Sequence, residues 1–513
     1  MSQNTRLYRH RRMLLSLLVT LFCLLSFRII VELLDSEMVG IESNGKDEIH
    51  TRPVTKANAS AEQGRENVKF DHLLGSKRPE VKFRVRTENL KKTYKVSEKI
   101  RIVIEPRHPK LLGKLTSSFF RVQVIGVRTF SPEQIKSSNS SQLVFEAPLV
   151  DPGLYKVRVR IMFYNYREMY SLESTVRPDP KISPKVKLLD RIIIDGDWNF
   201  TVVNSKYSLS SDVPSSCSDI DTLTGRWTSC LKEFLPYECN IPKYERTAFP
   251  RIFEKNSFRY GWIRFIGDSN TRGLFQTLQR HVGHMECVWV HESPKAERRT
   301  QYVCVLPYSN ALYDDDLRPK ELVLTYEWFF PGSYYNLESL LNSTFEDICK
   351  PFTKCRSKEL CNFQEPLSYR KFCANKHADY TFISIGSHTP EWNERTNDIY
   401  LREMFDHIHQ NYNHKITFMT TNAANVHNIP RFYGIQYIIR NNFRIARANE
   451  MLRKHVEISV KQGYKNIDLL DIFSTSQPIW EYSRDAVHYN SSIYNVHARL
   501  VLDKLIAWLE KQV

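Results

Sequence analysis

The chain has 513 residues, 42% of them hydrophobic and 25% charged, with 73 Lys and Arg against 57 Asp and Glu for a net charge of +16. That length exceeds one compact core, and that composition excludes a largely disordered chain. The basic excess is diffuse, with no Lys/Arg cluster interleaved with aromatics, so a nucleic-acid partner is not expected. A generally basic surface accounts for it, and anionic carbohydrate is the ligand class it leaves in view.

Residues 1–12 carry Arg6, Arg9, Arg11 and Arg12. Met13 to Phe27 is then free of charge, Arg28 interrupts, and Ile29, Ile30 and Val31 continue the apolar run before Glu32. Positive charge ahead of the run keeps that end cytoplasmic. The pattern predicts a cytoplasmic tail (1–12), a signal-anchor transmembrane helix (13–34) and a lumenal remainder, which is a single-pass type II arrangement. Near the far end of the run, Arg28 can snorkel to the interface. A cleaved signal peptide is the rival, but no small-x-small cleavage site follows the run. The run is short for a plasma-membrane span, and short spans sort toward thinner membranes.

Residues 35–78 are polar and lack apolar periodicity, which predicts a flexible stem. Over 79–205 the period becomes two. Val81, Phe83 and Val85 alternate with Lys82, Arg84 and Arg86, and Ile100, Ile102 and Ile104 follow the same rule. The stretches from Phe119 to Val127, Leu143 to Phe145 and Tyr155 to Phe163 look alike, and Asp151-Pro152-Gly153 supplies a turn. Strands at this spacing predict an immunoglobulin-like β-sandwich, here without the cysteines of an antibody domain.

The second domain is expected over 206–513. Residues 206 to about 258 read as irregular and carry Cys217, Cys230 and Cys239. Beyond 260, short apolar runs alternate with helical patterns. Trp262 to Ile266, Tyr380 to Ile385, Ile416 to Met419 and Ile467 to Leu470 read as buried strands. Asn441 to Val460 reads as a helix, and the last helix puts Ala498, Val501, Leu502, Leu505 and Leu509 on one face. Strand–helix alternation predicts an α/β fold with a parallel sheet covered on both sides, whose sites lie at the carboxyl ends of the strands.

Cys23 falls in the apolar segment. The other nine cysteines, which include Cys287, Cys304, Cys349, Cys355, Cys361 and Cys373, form no C-x-x-C pair, so no metal site is expected. In an oxidising lumen they read as disulfides of open connectivity, and their odd number leaves one free or joined to another chain. Sequons at Asn58, Asn139, Asn199, Asn342 and Asn490 agree weakly with a secretory address.

At the end of the first α/β strand stands Gly267-Asp268-Ser269-Asn270, and Leu274, Phe275, Leu278 and Val282 continue at helical spacing. Ser269 therefore sits at a strand-to-helix turn, where free N–H groups and the helix dipole favour a developing negative charge. A serine hydroxyl needs a base. After the last strand, Asp485-Ala486-Val487-His488 offers one: His488 to take the proton and Asp485 to orient and charge-stabilise the imidazole. Each motif alone is weak, and Ser269 as a plain helix cap is the bland account. The specific signal is the combination of a first-strand serine with a last-loop Asp-x-x-His.

On these residues the chain resembles the SGNH hydrolase superfamily. Within it, Gly267-Asp268-Ser269-Asn270-Thr271-Arg272, Asp485-Ala486-Val487-His488 and the upstream Cys217 with Gly225-Arg226-Trp227 resemble the PC-esterase group. That group includes trichome-birefringence-like acetyltransferases and the neurexophilin-and-PC-esterase proteins, and the likeness covers about residues 80 to 513. It implies a Golgi type II enzyme that moves acetyl groups on or off glycan hydroxyls through an acyl-serine. No cofactor would be bound, and acetyl-CoA or another acyl donor would serve as co-substrate. Where many superfamily members carry Gly-x-Asn-Asp, this chain has Gly386-Ser387-His388. His388 would then donate to the oxyanion, line the acceptor pocket or merely cap the strand end. Gly267, Asp268, Asn270, Arg272 and Gly386 complete the oxyanion or substrate candidates, with Trp328 a weaker one. A glycan O-acetyltransferase is the first expectation, an O-acetyl esterase the second, and a catalytically silent adhesion or ligand protein the third.

Overall fold

The computed structural model describes residues 82–88, 91–135, 137, 141–164, 188–193, 198–204, 216–221, 223–255, 260–282, 286–289, 300–307, 321–329, 377–386, 394–425, 440–485 and 487–511. The expected anchor (13–34) and stem (35–78) lie outside them. Among the described residues no helix is long and apolar enough to cross a membrane. Residues 76–513 form one compact unit.

Its first part is a two-sheet β-sandwich. One sheet has the order β1 (Phe83–Glu88), β3 (Lys99–Pro106), β7 (Leu143–Pro148), β6 (Glu133–Ile135). The other runs β12 (Phe234–Pro236), β11 (Gly225–Thr228), β5 (Arg128–Phe130), β4 (Phe119–Gly126), β8 (Gly153–Phe163), β10 (Trp198–Val203), β2 (Thr93–Lys95), with β9 (Leu188–Ile192) also paired to β8. Period-two apolar positions build the core between them. Ile100, Ile102 and Ile104 of β3 meet Phe120, Val122 and Val124 of β4 and Val157, Val159 and Ile161 of β8. Phe83 packs edge-on to Phe120 at 5.1 Å, and Tyr155 stacks on Phe200 at 5.5 Å. Each such side chain contributes about 1.5–3 kcal/mol when fully buried, so the sandwich holds together with no internal disulfide among its described residues.

The stretch expected to be irregular, 206–258, is a correction. It holds the β11–β12 hairpin, which extends the larger sandwich sheet through Trp227↔Thr129 and Thr228↔Arg128, and a helix, α1 (Ala248–Lys255). Strands of four and three residues are too short to announce a period. A Cys217–Cys239 disulfide closes this segment. By loop length such a bridge is worth about 3 kcal/mol.

The second part is mixed α/β. A seven-stranded sheet has the order β14 (Glu286–Trp289), β15 (Thr300–Pro307), β16 (Glu321–Trp328), β13 (Tyr260–Gly267), β17 (Tyr380–Ser384), β18 (Lys415–Met419), β19 (Ile467–Leu470). From β16 to β19 all neighbours are parallel, while β14 and β15 add an antiparallel edge. The strand order reverses between β13 and β17, and the carboxyl ends flanking such a reversal are where open α/β sheets bind ligands. Helices α2 (Ser269–Val282) and α5 (Ser491–Glu510) share one core with α1 on one face of the sheet. Helices α3 (Glu394–Asn411) and α4 (Asn442–Lys461) cover the other. The predicted face of α5, Ala498 to Leu509, is fully buried. The side chain of Asn441 starts α4 by accepting from Phe443 N and Arg444 N at 3.0 and 3.2 Å, the usual work of an N-cap asparagine. On β13 and β16, Arg264 and Glu327 are 2% and 1% exposed and make a two-pronged ion pair, both contacts at 2.6 Å.

Candidate functional site

β13 ends in Gly267, where a Cβ would stand 2.2 Å from Thr271 Oγ1 and 3.2 Å from Ser384 Cβ. Only glycine lets the chain pass so close to both α2 and β17. The turn is then pinned by its own polar groups. Tyr326 donates its hydroxyl to Asp268 O at 2.9 Å, Phe329 N donates to Gly267 O at 2.9 Å, and the buried Asp268 carboxylate accepts from Asn270 N at 2.9 Å. Ser269 comes out as the first residue of α2, among first-turn N–H groups that have no partner within the helix.

From the other side comes the segment after β19. It forms a short helix (Phe473–Ser476), a 3-10 turn (Gln477–Tyr482) and then an extended stretch to α5. Arg484 N donates to His488 O at 2.7 Å and closes a small loop. Within it, Asp485 Oδ1 accepts from Val487 N at 3.0 Å and His488 N at 2.9 Å, while Oδ2 holds His488 Nδ1 at 2.8 Å. Partial burial of the Asp485 carboxyl opposes its ionisation, but these hydrogen bonds outweigh that and hold it below the ordinary carboxylate range. The other ring nitrogen, His488 Nε2, lies 2.6 Å from Ser269 Oγ. Hydroxyl, imidazole and carboxylate thus form one continuous chain, the arrangement in which a serine loses its proton to histidine as it attacks a carbonyl. The side chains of His488 and Asp485 are 37% and 44% exposed, so a ligand can reach them.

The remaining sequence candidates divide. Gly386, at φ +75°, lies against Asp268: a Cβ there would meet the carboxylate at 3.1 Å. Its N–H donates to Ser384 Oγ at 3.3 Å and its carbonyl accepts from Thr421 Oγ1 at 2.9 Å. The guanidinium of Arg272 lies 5.9 Å over the ring of Trp328, which ends β16 beside Gly267. Asn270 accepts at Oδ1 from Tyr494 of α5 at 3.0 Å, and burial holds that phenol well above its ordinary pKa, so it stays a donor. His388 lies outside the described residues. No group of side chains suited to a metal ion occurs among the described residues.

Sequence reasoning missed a polar layer behind the serine. His497 of α5 is fully buried, and burial pushes its imidazole down to about 3. Thr475 Oγ1 donates to Ile472 O, so it accepts from His497 Nε2 at 2.7 Å and leaves Nδ1 as an acceptor. A cavity of about 10 Å³ is lined by Asp268, Asn270, Gly386, Asn422 and His497. Asn270 Nδ2, both polar atoms of Asn422 and His497 Nδ1 are buried without a hydrogen-bond partner among the described residues. That volume and mix of donors and acceptors suit a single water. The loop 420–425 beside it is tied to α4 by paired amide bonds from Asn442 and Asn449. Their spacing of seven along one helix face was the available signal.

No protein-family model matches the chain, and no curated protein matches it significantly. Among solved structures, it is similar to a lipase/acylhydrolase from Enterococcus faecalis, with 14% identity and a TM-score of 0.26 over 48% of this chain and 96% of that one. A Salmonella alpha-2-macroglobulin mutant overlaps at 12% identity and a TM-score of 0.14, over 30% of this chain and 9% of that one. Likeness this slight carries no argument, and the chemistry of the site rests on its own residues.

Proposed function

We propose that the chain is a serine-dependent acyltransferase acting on glycan hydroxyls, a member of the PC-esterase group with an immunoglobulin-like sandwich. The observation that carries this reading is the Ser269–His488–Asp485 chain at the carboxyl end of β13. In the first step Ser269 Oγ gives its proton to His488 Nε2 and attacks the acyl carbon of a donor, acetyl-CoA or another acyl compound. The leaving thiol or alcohol departs with that proton, and an acyl-serine remains. In the second step a sugar hydroxyl gives its proton to His488 and attacks the acyl-serine. The acetylated glycan departs and Ser269 takes the proton back. Asp485 stabilises the imidazolium in both steps. First-turn N–H groups of α2, that of Ser269 included, would receive the oxyanion.

The net charge of +16 suits an acidic glycan acceptor. The Cys217–Cys239 bridge agrees with an oxidising lumen, and the Golgi anchor over 13–34 is part of the same proposal. Exposure of His488 and Asp485 favours a second reading, in which water takes the place of the sugar and the enzyme is an O-acetyl esterase.

The test incubates the chain with labelled acetyl donor and a glycan panel beside Ser269→Ala. Serine-dependent label on glycan supports the transferase, and serine-dependent release of acetate from acetylated glycan supports the esterase. No serine-dependent turnover of either kind overturns both and leaves a binding protein.

A further inference from the structure

We infer that the β-sandwich is a working part of the site: Arg121 and Gln123 of β4 and Trp227 of β11 are positioning residues for the segment that carries Asp485 and His488. This rests on the Ser269 chemistry proposed above. β4 alternates, with Phe120, Val122 and Val124 facing the sandwich core. Arg121 and Gln123 project from the opposite face, which on a free-standing sandwich would meet water. Here both are 2% exposed.

The 3-10 turn 477–482 is what meets them. Gln123 Nε2 donates to Pro478 O at 2.6 Å. The Arg121 guanidinium lies 4.4 Å over the ring of Trp480 and is ion-paired with Glu481. From β11, Trp227 Nε1 donates to Thr475 O at 2.7 Å. Apolar residues would cover the same turn without the desolvation cost of a buried guanidinium, which runs to several kcal/mol. The directional contacts therefore fix where the turn sits more than they add stability.

Glu481 precedes Asp485 by four positions. Ser269 is held by β13 and α2, inside the α/β sheet, whereas His488 follows a turn seated largely on the sandwich. The gap between Ser269 Oγ and His488 Nε2 is thus set across the contact between the two parts. A misplacement of about 1 Å between reacting atoms costs about 100-fold in rate.

A fluorophosphonate probe tests this on the full chain without needing the glycan. Ser269 Oγ forms a bond to phosphorus, fluoride leaves, and His488 takes the proton. Arg121→Met is expected to label about 10- to 100-fold more slowly at a temperature where circular dichroism shows it folded. The loss should fall on the limiting rate rather than on the half-saturating probe concentration. Arg121→Lys should recover part of the rate, and amide exchange at Val487 and His488 should rise in Arg121→Met. If Arg121→Met does not fold, Gln123→Leu, which removes only the bond to Pro478 O, decides by the same criterion. Folded variants that label at the wild-type rate overturn the inference. If the wild-type chain is not labelled at Ser269, the proposed chemistry falls instead. The exchange measurement then decides alone: unchanged protection of Val487 and His488 in the variants overturns the positioning role, and increased exchange upholds it.

Discussion

Ser269 and His488 stand 219 positions apart in the chain and 2.6 Å apart in space. Two separate devices bring them there. A glycine-enforced turn delivers the serine from a central strand, and a loop closed by Asp485 returns the imidazole from beyond the last strand.

Asp485→Asn separates orientation from charge. Its amide oxygen can still accept from Val487 N and His488 N, so the loop should persist and the melting temperature should stay within a degree or two. Its NH2 group, however, would face His488 Nδ1 and force that nitrogen to accept. The proton would then sit on Nε2, which could no longer receive the serine proton. Turnover or probe labelling is expected to drop by about 10⁴-fold. A loss smaller than tenfold would remove Asp485 from the relay.

Gly386→Ala should lower stability by about 1–2 kcal/mol from the left-handed backbone alone. It should also slow labelling of Ser269, because the new methyl group presses on the Asp268 carboxylate that holds the Ser269 turn. Gly267→Ala should cost more, since its methyl group meets Thr271 and Ser384 together. Urea unfolding of the two variants ranks them. The opposite order would mean that the β13 turn yields more readily than its contacts imply.

The Arg264–Glu327 pair gives a prediction of opposite signs. Glu327→Gln strands a buried guanidinium and should cost about 3–5 kcal/mol, whereas Arg264→Met combined with Glu327→Leu should regain most of that. Chemical denaturation of the single and double variants provides the comparison. A double variant as unstable as the single one would show that the pair does more than satisfy itself.

His497 makes stability depend on pH. Burial lowers its folded value from 6.5 to about 3, so between those limits the unfolded chain binds the extra proton. Its contribution is fully present above about pH 6.5 and is lost as pH falls toward 3, at up to about 1.4 kcal/mol per pH unit. His414, which burial pushes down to about 4, acts in the same direction. In urea unfolding at pH 7 and pH 4.5, His497→Gln should lose less stability between the two than the wild type. An equal loss would locate the acid sensitivity elsewhere.

The sheet was legible where local pattern and burial agree. Ile467–Leu470 is a strand with the predicted bounds, and the helix read from Asn441 begins one residue later because Asn441 is its cap. The approach of His488 to Ser269 followed from topology, since both loops leave the carboxyl edge of one parallel sheet. What stayed hidden was polar burial produced by distant partners. Arg121 and Gln123 look like the wet side of a two-faced strand, and nothing local says that residues some 355 positions away cover them. Tyr326 and Asn449 likewise read as ordinary strand and helix residues until their long-range bonds are seen.

The β11–β12 hairpin makes the two parts inseparable at the level of the backbone. Because Trp227 and Thr228 continue the ladder begun by β5, cutting the chain near residue 205 would leave Arg128 and Thr129 with bare amide and carbonyl groups along a raw sheet margin. Such a margin recruits other strands. Either half produced alone would lose that pairing, so the two parts are expected to be more soluble expressed together than apart.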